Sequence, residues 1–272
     1  MCRWMAYSGD PEYLDELLFK PEHSLIDQSL SARSGATPTN GDGFGVGWYS
    51  EKETPGLYRS IRPAWNDRNV RNISEQIRSR LFLAHVRAAT GTAVQQTNCH
   101  PFRFGKWLLV HNGVIHGFHE MKRDLVHEVS PELYPSIEGT TDSEVMFFLA
   151  LTLGLEEDVL AAVARMAHLV ERVGRGHGFD RALTMTLGIS DGTRLYGIRY
   201  ASDGSPRTLF HSRDMHALKE LNPRVEQFSD HARAVVSEPF GSLSESWVEI
   251  PPSSAVIVEG EDLENREFSP QA

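Results

Sequence analysis

The order of the apolar segments constrains the fold of this chain more than any other feature of its sequence. Strand-like segments bounded by turn residues come first and end with KWLLVHNG at 106–113. Three helical segments follow, and further strand-like segments run from ALTMTLGIS at 182–190 to AVIVEG at 255–260. Because strands and helices come in blocks and do not alternate, the sequence predicts a mixed fold with antiparallel sheet.

The three central helical segments differ in their patterns. VMFFLALTLGL at 145–155 is apolar throughout, too short to cross a bilayer, and predicts a buried helix. EEDVLAAVARMAHLVERV at 156–173 and TDSEVMFFLALTL at 141–153 are both expected to alternate apolar and charged residues with a period near 3.6, which is typical of a helix packed on one face. HEMKRDLVHEV at 119–129 completes the block.

The bulk properties limit the classes of protein that the chain can represent. A length of 272 residues without a long linker favours one domain over 1–272, with a polar, loose tail from about 260. The formal net charge of -10 argues against a nucleic-acid or anionic-membrane partner. No basic segment followed by an apolar one opens the chain, so we expect no signal peptide and a cytoplasmic location.

The chain contains two cysteines, at positions 2 and 99, too few for a disulfide framework and without the spacing of a zinc site. A small apolar residue after Met1 can simply pack in the first strand. The alternative is that removal of Met1 makes Cys2 the N-terminal residue, which then carries both a thiol and a free α-amine.

Four polar stretches interrupt apolar surroundings: NGDGFGVGWY at 40–49, AHVRAATG at 84–91, NCHPF at 98–102 with HNG at 111–113, and GTTDSE at 139–144. The first is rich in glycine but lacks the pattern and the lysine of a nucleotide-binding loop. Arg87 ends a strand, where an arginine either reaches into solvent or binds a carboxylate with both arms of its guanidinium.

The other two stretches also allow two interpretations. Asn112–Gly113 is a common hairpin pair, but an Asn amide and the next backbone N–H can also stabilise an oxyanion. Thr141 or Asp142 can cap the helix that follows, and an Asp at that position can instead bind a ligand ammonium group. His85, His100 and His111 match no zinc signature, so we expect no metal and no cofactor.

The ordered set of motifs resembles the class II glutamine amidotransferases, which are N-terminal-nucleophile hydrolases. The resemblance covers essentially the whole chain and rests on Cys2, GDGFGVGWY, HVRAAT, NCHPF, HNGVI, TTDSE, SEPF at 237–240 and WVEIPP at 247–252. It points in particular to the stand-alone members, among them γ-glutamyl hydrolases of thiol metabolism. It implies a four-layer αββα sandwich of two antiparallel sheets.

The resemblance also implies roles for single residues. Cys2 would attack the side-chain amide of glutamine or of a γ-glutamyl compound, and Asn112 with Gly113 would stabilise the oxyanion. Arg87 would bind the α-carboxylate and Asp142 the α-ammonium group of the substrate. Supporting roles fall to Thr90 at the carboxylate, Gly43 at the wall near Cys2 and His100 behind the site, and Cys99 is expected to be structural.

Three functions remain open at this stage. The first is a glutaminase that supplies ammonia to a separate synthase. The second is a self-sufficient γ-glutamyl amidase or peptidase whose substrate carries a larger leaving group. The third is a non-catalytic subunit that binds a γ-glutamyl compound or a partner protein; the complete set of expected site residues argues against it.

Overall fold

The computed structural model describes residues 2–33, 39–89, 91–213, 231–241 and 244–270. In these residues the chain forms thirteen β-strands and six α-helices. The strands are Arg3–Tyr13 (β1), Phe44–Trp48 (β2), Gly56–Ser60 (β3), Arg78–Val86 (β4), Phe102–Phe104 (β5), Trp107–Ile115 (β6), Leu183–Ser190 (β7), Arg194–Ala201 (β8), Phe210–Ser212 (β9), Arg233–Val236 (β10), Trp247–Glu249 (β11), Ser254–Glu259 (β12) and Asp262–Glu267 (β13). The helices are Leu14–Leu18 (α1), Leu25–Leu30 (α2), Arg68–Ser74 (α3), Phe118–His127 (α4), Asp142–Thr152 (α5) and Val159–Gly176 (α6).

The strands form two sheets in which every neighbouring pair is antiparallel. The seven-stranded sheet has the order β11-β9-β10-β1-β4-β2-β3, and the six-stranded sheet has the order β13-β12-β8-β7-β6-β5. The first strand of the chain therefore lies in the middle of its sheet, between β10 and β4.

Residues of β1 show how the layers are built, because successive side chains of a strand point to opposite faces. Trp4 and Ala6 pack with Val110 of β6 in a core between the two sheets. Met5 and Tyr7 pack on the other face, against α1 and α2. Helices α4, α5 and α6 cover the outer face of the second sheet. The expected four-layer αββα sandwich is thus confirmed.

The central helices lie where the sequence predicts them. Thr141 caps α5 by accepting a hydrogen bond from Glu144 N at 3.2 Å, and Asp158 caps α6 through Ala161 N at 3.0 Å. Residues 143–150 of α5 are all buried, as expected for a buried apolar helix, so the alternation of apolar and charged residues expected for α5 is wrong. Among the described residues no helix is both long and apolar enough to cross a membrane.

The segment after residue 260 differs from the expected loose tail. Residues Asp262–Glu267 pair along their length with β12, and Phe268 packs into the core with 2% of its surface exposed. The segment is polar because β13 is an edge strand whose outer side faces solvent, and edge strands carry charged residues. Local polarity therefore does not separate such a strand from a tail.

Candidate active site

Cys2 stands immediately before β1, at the end of the central strand of the first sheet. Its Sγ donates to the carbonyl oxygen of Ala88 at 3.5 Å and accepts from the Ala88 amide at 3.4 Å. Ala88 follows the end of β4, the strand that pairs with β1. The pairing of β1 with β4 therefore holds the thiol beside the AHVRAATG segment.

A cavity of about 520 Å³ opens at Cys2. Its walls bring together five of the residues expected in the site: Cys2, Arg87, His100, Gly113 and Asp142. Two other expected residues, Asn112 and Gly43, do not line the cavity. Asn112 is buried next to Gly113, Gly43 lies behind Arg87, and Thr90 lies outside the described residues.

Arg87 is a buried cation that has no acidic partner among the residues the structure describes. Its side chain donates to the Thr92 hydroxyl at 2.7 Å and to the carbonyl oxygens of Ala93 and Asp42 at 3.2 and 3.3 Å. Within the described part of the chain no carboxylate lies at ion-pairing distance, and the residue is 4% exposed. A buried charge is normally paired, so this guanidinium is suited to an anionic group in the cavity.

Asp142 is the first residue of α5 and faces the same cavity. One carboxylate oxygen accepts from Ser143 N at 2.8 Å, and the other accepts from Ile115 N, at the end of β6, at 2.9 Å. The helix N-terminus favours a negative charge at this position. The helix cap is Thr141, which leaves the Asp142 carboxylate as a negatively charged wall of the cavity.

The Asn112–Gly113 pair lies inside β6 and not in a hairpin turn. The interpretation of HNG as a hairpin is therefore wrong. The Ile115 amide donates to Asp142, whereas the His116 amide donates to Ala182 at the end of β7. Peptide N–H groups alternate in direction along a strand, so the Gly113 N–H points to the same edge as that of Ile115. Among the described strands β5 covers this edge only as far as Leu109, which leaves the Gly113 N–H open to the cavity.

Glycine is required at position 113. A Cβ atom there would lie 2.0 Å from the Thr184 carbonyl oxygen and 2.2 Å from His111 Nε2. Gly43 is similarly confined: its φ is +130°, and a Cβ would come within 2.5 Å of Cys99 Sγ. Its carbonyl oxygen accepts from the Arg87 amide at 2.8 Å, so Gly43 fixes the backbone of Arg87.

Three buried histidines lie at the cavity: His100 and His111 line it, and His85 lies behind them. His100 Nδ1 and His85 Nε2 are 2.8 Å apart, His85 Nε2 lies 3.2 Å from the His111 carbonyl oxygen, and His111 Nδ1 lies 2.8 Å from Ser143 Oγ. Burial lowers the pKa of His85 to about 3, lowers that of His111 to about 4, and holds the pKa of His100 well below its usual value. All three are neutral at pH 7.

These histidines predict how stability depends on pH. Between pH 6.5 and about 4 the unfolded chain binds protons at these rings and the folded chain does not, so the free energy of unfolding falls as pH falls. Each ring contributes up to about 1.4 kcal/mol per pH unit. We expect the free energy of unfolding, measured with urea at pH 7.5, 6 and 5, to show this loss. His100→Gln should reduce the slope of the free energy of unfolding against pH. His127→Gln, on the exposed side of α4, should leave the slope as it is in the wild type, and a slope unchanged by His100→Gln would contradict the assignment.

The SEPF segment contributes a buried ion pair at Cys2. Arg3 Nη2 lies 2.9 Å from Glu238 Oε2, and Arg3 Nη1 donates to the Cys2 carbonyl oxygen at 2.9 Å. Burial acts to raise the pKa of Glu238, but hydrogen bonds from His23 and the Arg33 amide and the Arg3 charge together lower it to about 2. The Glu238 carboxylate thus fixes the guanidinium that holds the Cys2 backbone.

Two groups of site residues escape sequence reasoning. Arg3 and Glu238 form the first, and Arg207 forms the second, since its guanidinium donates to Asn112 Oδ1. For the first group the signal was present: a charged residue inside the apolar strand CRWMAYS and an acidic one two positions after the apolar AVV of β10. In the described part of the chain no group of His, Cys, Asp and Glu residues is arranged to hold a metal ion.

Residues 20–265 match the family model described as glutamine amidotransferases class-II. The chain is 28% identical to the probable glutamine amidotransferase DUG3 of Saccharomyces cerevisiae, over 97% of this chain and 83% of that protein. It is 33% identical to the gamma-glutamyl-hercynylcysteine sulfoxide hydrolase of Mycolicibacterium smegmatis, over 57% of this chain and 65% of that protein.

A solved structure with the same fold is the glutamine aminotransferase class-II domain protein from Silicibacter pomeroyi. It superposes with a TM-score of 0.75 and is 32% identical, covering 99% of this chain and 100% of that one. The likeness therefore extends over both sheets and both helical layers.

Proposed function

Because this chain belongs to the class II glutamine amidotransferases, we propose that Cys2 is the nucleophile that hydrolyses the side-chain amide of glutamine or of a γ-glutamyl compound. The protein is a glutamine amidotransferase-type hydrolase. The observation that carries the assignment of residues is the shared cavity, where a thiol, a cation and an anion face one space. Those three groups match the amide, the carboxylate and the ammonium group of one amino acid.

The α-amine of a processed Cys2 serves as the base. An α-amine has a pKa near 7.7–8.0 and a cysteine thiol near 8.5, so the proton passes from sulfur to nitrogen at little cost, directly or through a water. The resulting thiolate attacks the amide carbon. The neutral histidines behind the site are weak bases at pH 7, since burial keeps the pKa of His85 near 3 and that of His111 near 4.

Attack on the amide carbon gives a tetrahedral intermediate with a negatively charged oxygen. The Gly113 N–H and the Asn112 side-chain amide stabilise this oxyanion. One such donor typically contributes about 2.7–4 kcal/mol to lowering the barrier. The requirement for glycine at position 113 supports this role, because it lets the carbonyl group approach the strand edge.

The leaving group then departs as ammonia or an amine. The protonated α-amine returns its proton to the departing nitrogen as the C–N bond breaks, which leaves a glutamyl thioester on Cys2. Water, deprotonated by the same amine, attacks the thioester carbonyl and releases glutamate and the thiol. Each step uses the amine alternately as acid and base.

Charge at the two ends of the glutamyl unit orients it. Arg87 pairs with the α-carboxylate and Asp142 with the α-ammonium group. Arg87 already donates to three neutral oxygens and has no carboxylate partner among the described residues, which supports an anionic ligand. Thr90 is proposed to support the carboxylate contact, with His100 supporting the wall behind it.

The size of the cavity favours a γ-glutamyl compound with a large leaving group as the substrate. About 520 Å³ is in the range of pockets for ligands larger than a single amino acid. One relative is named for hydrolysis of gamma-glutamyl-hercynylcysteine sulfoxide, a substrate of this kind. The second candidate function is that of a subunit. The chain would then pass ammonia to a separate synthase as a glutaminase, or work with a peptidase subunit. We also still expect a cytoplasmic location.

Asp142→Asn tests the recognition of the free amine. The wild type should strongly prefer glutamine to N-acetylglutamine, and the variant should use the two equally poorly, since it lacks the charge that pairs with the ammonium group. Loss of one charge-assisted hydrogen bond costs about 1.5–3 kcal/mol, or roughly 10- to 150-fold in kcat/KM. The preference for the free amine is measured as glutamate release from both compounds. Asp124→Asn, on the exposed face of α4, is the matched control and should keep the wild-type preference.

Arg87→Lys tests the other end of the substrate in the same assay. Lysine keeps the charge but loses the planar pair of donors, so kcat/KM for glutamine should still fall at least about tenfold. A wild type that hydrolyses N-acetylglutamine as well as glutamine would reduce Asp142 to a structural residue of the helix terminus.

A further inference from the structure

We propose that Arg207 is a positioning residue that turns the Asn112 amide toward the reacting carbonyl group. The inference rests on the proposed function and adds to it a residue outside the motifs that the sequence singled out. Arg207 lies between β8 and β9, 95 residues from Asn112 in the sequence. Its contact with Asn112 is the starting point.

The chemistry of the two side chains fixes the orientation of the amide. Arg207 Nη1 donates a hydrogen bond to Asn112 Oδ1. A guanidinium has donors only, so the atom that faces it must be the amide oxygen and not the amide nitrogen. The Nδ2 donors of Asn112 therefore point away from Arg207. Without Arg207, either end of the amide could face the reacting oxygen.

The backbone of Asn112 is held independently. The Thr186 hydroxyl donates to the Asn112 carbonyl oxygen at 3.1 Å, and the Trp4 indole donates to the Thr186 oxygen at 3.1 Å. Both Asn112 and Thr186 are buried, with 3% and 0% of their surfaces exposed. Rotation of the side chain is the remaining freedom, and the bond from Arg207 removes it.

Arg207 is itself fixed from behind by Arg199 of β8. Arg199 Nε donates to the Arg207 carbonyl oxygen at 2.7 Å, and its Nη1 donates to Glu249 Oε1 at 2.8 Å and to the Ile250 carbonyl oxygen. Glu249 and Ile250 belong to the WVEIPP segment, so this C-terminal motif acts on the site through two arginines. The Arg199 side chain is 5% exposed, which makes the support rigid.

Asn112 is the side chain that Arg207 contacts. Within the described residues, Asn112 is the one side chain to which it donates, and no carboxylate lies at ion-pairing distance. Burial lowers the pKa of Arg207, Cys2 and Asp142 act to raise it, and the Arg3 charge acts to lower it. Among these residues no ion pair therefore competes with Asn112 for the guanidinium.

The test compares Arg207→Met and Arg207→Lys with Arg165→Met. Arg165 is also half-buried and bonded to a carbonyl oxygen, that of Leu153, but it lies on α6 and its bonds do not involve Asn112. Removal of an oxyanion donor costs about 10²- to 10³-fold, so losing its orientation in Arg207→Met should lower kcat about 10- to 100-fold with KM within about threefold. Arg207→Lys should recover part of the loss, because it keeps one donor, and Arg165→Met should match the wild type.

A double-mutant cycle separates positioning from a general structural effect. In the Asn112→Ala background, Arg207→Met should cost less than about threefold further, since there is no amide left to orient. Additive losses would overturn the inference. So would a loss seen only with substrates whose leaving amine carries a carboxylate, because Arg207 would then bind the substrate itself.

A measurement that does not depend on turnover separates failure of this inference from failure of the proposed function. The side-chain amide resonances of Asn112 should move in Arg207→Met and in Arg207→Lys and stay in place in Arg165→Met. If the wild type releases no glutamate, the proposed function fails. The resonances then still test whether Arg207 orients the Asn112 amide. Asn112 resonances that do not move in a folded Arg207 variant overturn the inference in either case.

Discussion

We expect Cys2→Ala to lose all measurable release of glutamate from glutamine and γ-glutamyl amides while keeping the fold. Removal of the nucleophile of a hydrolase costs about 10⁶-fold in kcat, because the covalent route is lost as a whole. Among the described residues the side chain of Cys2 bonds only to the backbone of Ala88 at 3.4–3.5 Å, so its loss removes little stabilisation. Glutamate release and circular dichroism of the purified variant give the two measurements.

Cys99→Ala is the matched control for this variant. Cys99 is 0% exposed, donates to carbonyl oxygens of Ser60 and Gln95, and has its pKa raised by burial. A buried thiol of raised pKa is a poor nucleophile, so this variant should keep activity within a few-fold of the wild type. Iodoacetamide should label Cys2 first. More than a few per cent of wild-type turnover in Cys2→Ala would end the proposal of an N-terminal nucleophile.

Covering the α-amine of Cys2 should be almost as damaging as removing its thiol. A variant that keeps one residue in front of Cys2 has an amide nitrogen there, which cannot accept the thiol proton. General base catalysis contributes about 10²- to 10⁴-fold, and we expect a loss of turnover in that range. The measurement is glutamate release, with intact mass to establish the N-terminus.

A removable extension supplies the control for this experiment. If a protease site precedes Cys2, cleavage should expose the amine and restore wild-type turnover in the same sample. Full activity before cleavage would show that another group is the base. The buried histidines are the natural candidates to examine in that event, and a slow reaction of the blocked form with iodoacetamide is compatible with the proposal.

The sequence predicted those parts of the molecule that depend on local pattern. The apolar period of 156–173 predicted α6, and the uniform apolarity of 145–155 predicted the buried α5. The order of motifs, through the resemblance to a family, predicted the four layers and placed Cys2, Arg87 and Asp142 among the site residues. The cavity brings these three together, and their roles remain predictions.

The parts that escaped prediction depend on contacts between distant residues. Arg3 reaches Glu238 across 235 positions and Arg207 reaches Asn112 across 95, and neither pair has a spacing that a local pattern could show. Arg207 stands before β9, which begins at Phe210, and so it lies in a loop without a periodic pattern of its own. A charged residue in an apolar segment is a signal that something faces it, but only the fold identifies the partner.

The central position of β1 has a consequence for how the protein is made. β1 pairs on one side with β4 but on the other with β10, whose residues Arg233–Val236 are synthesised much later. The support of the Cys2 backbone likewise waits for Glu238. A nascent chain therefore carries its thiol long before it carries a working site. The site is completed only when β10 and Glu238 have been made, and the non-local pairing makes that closure slow compared with helix formation.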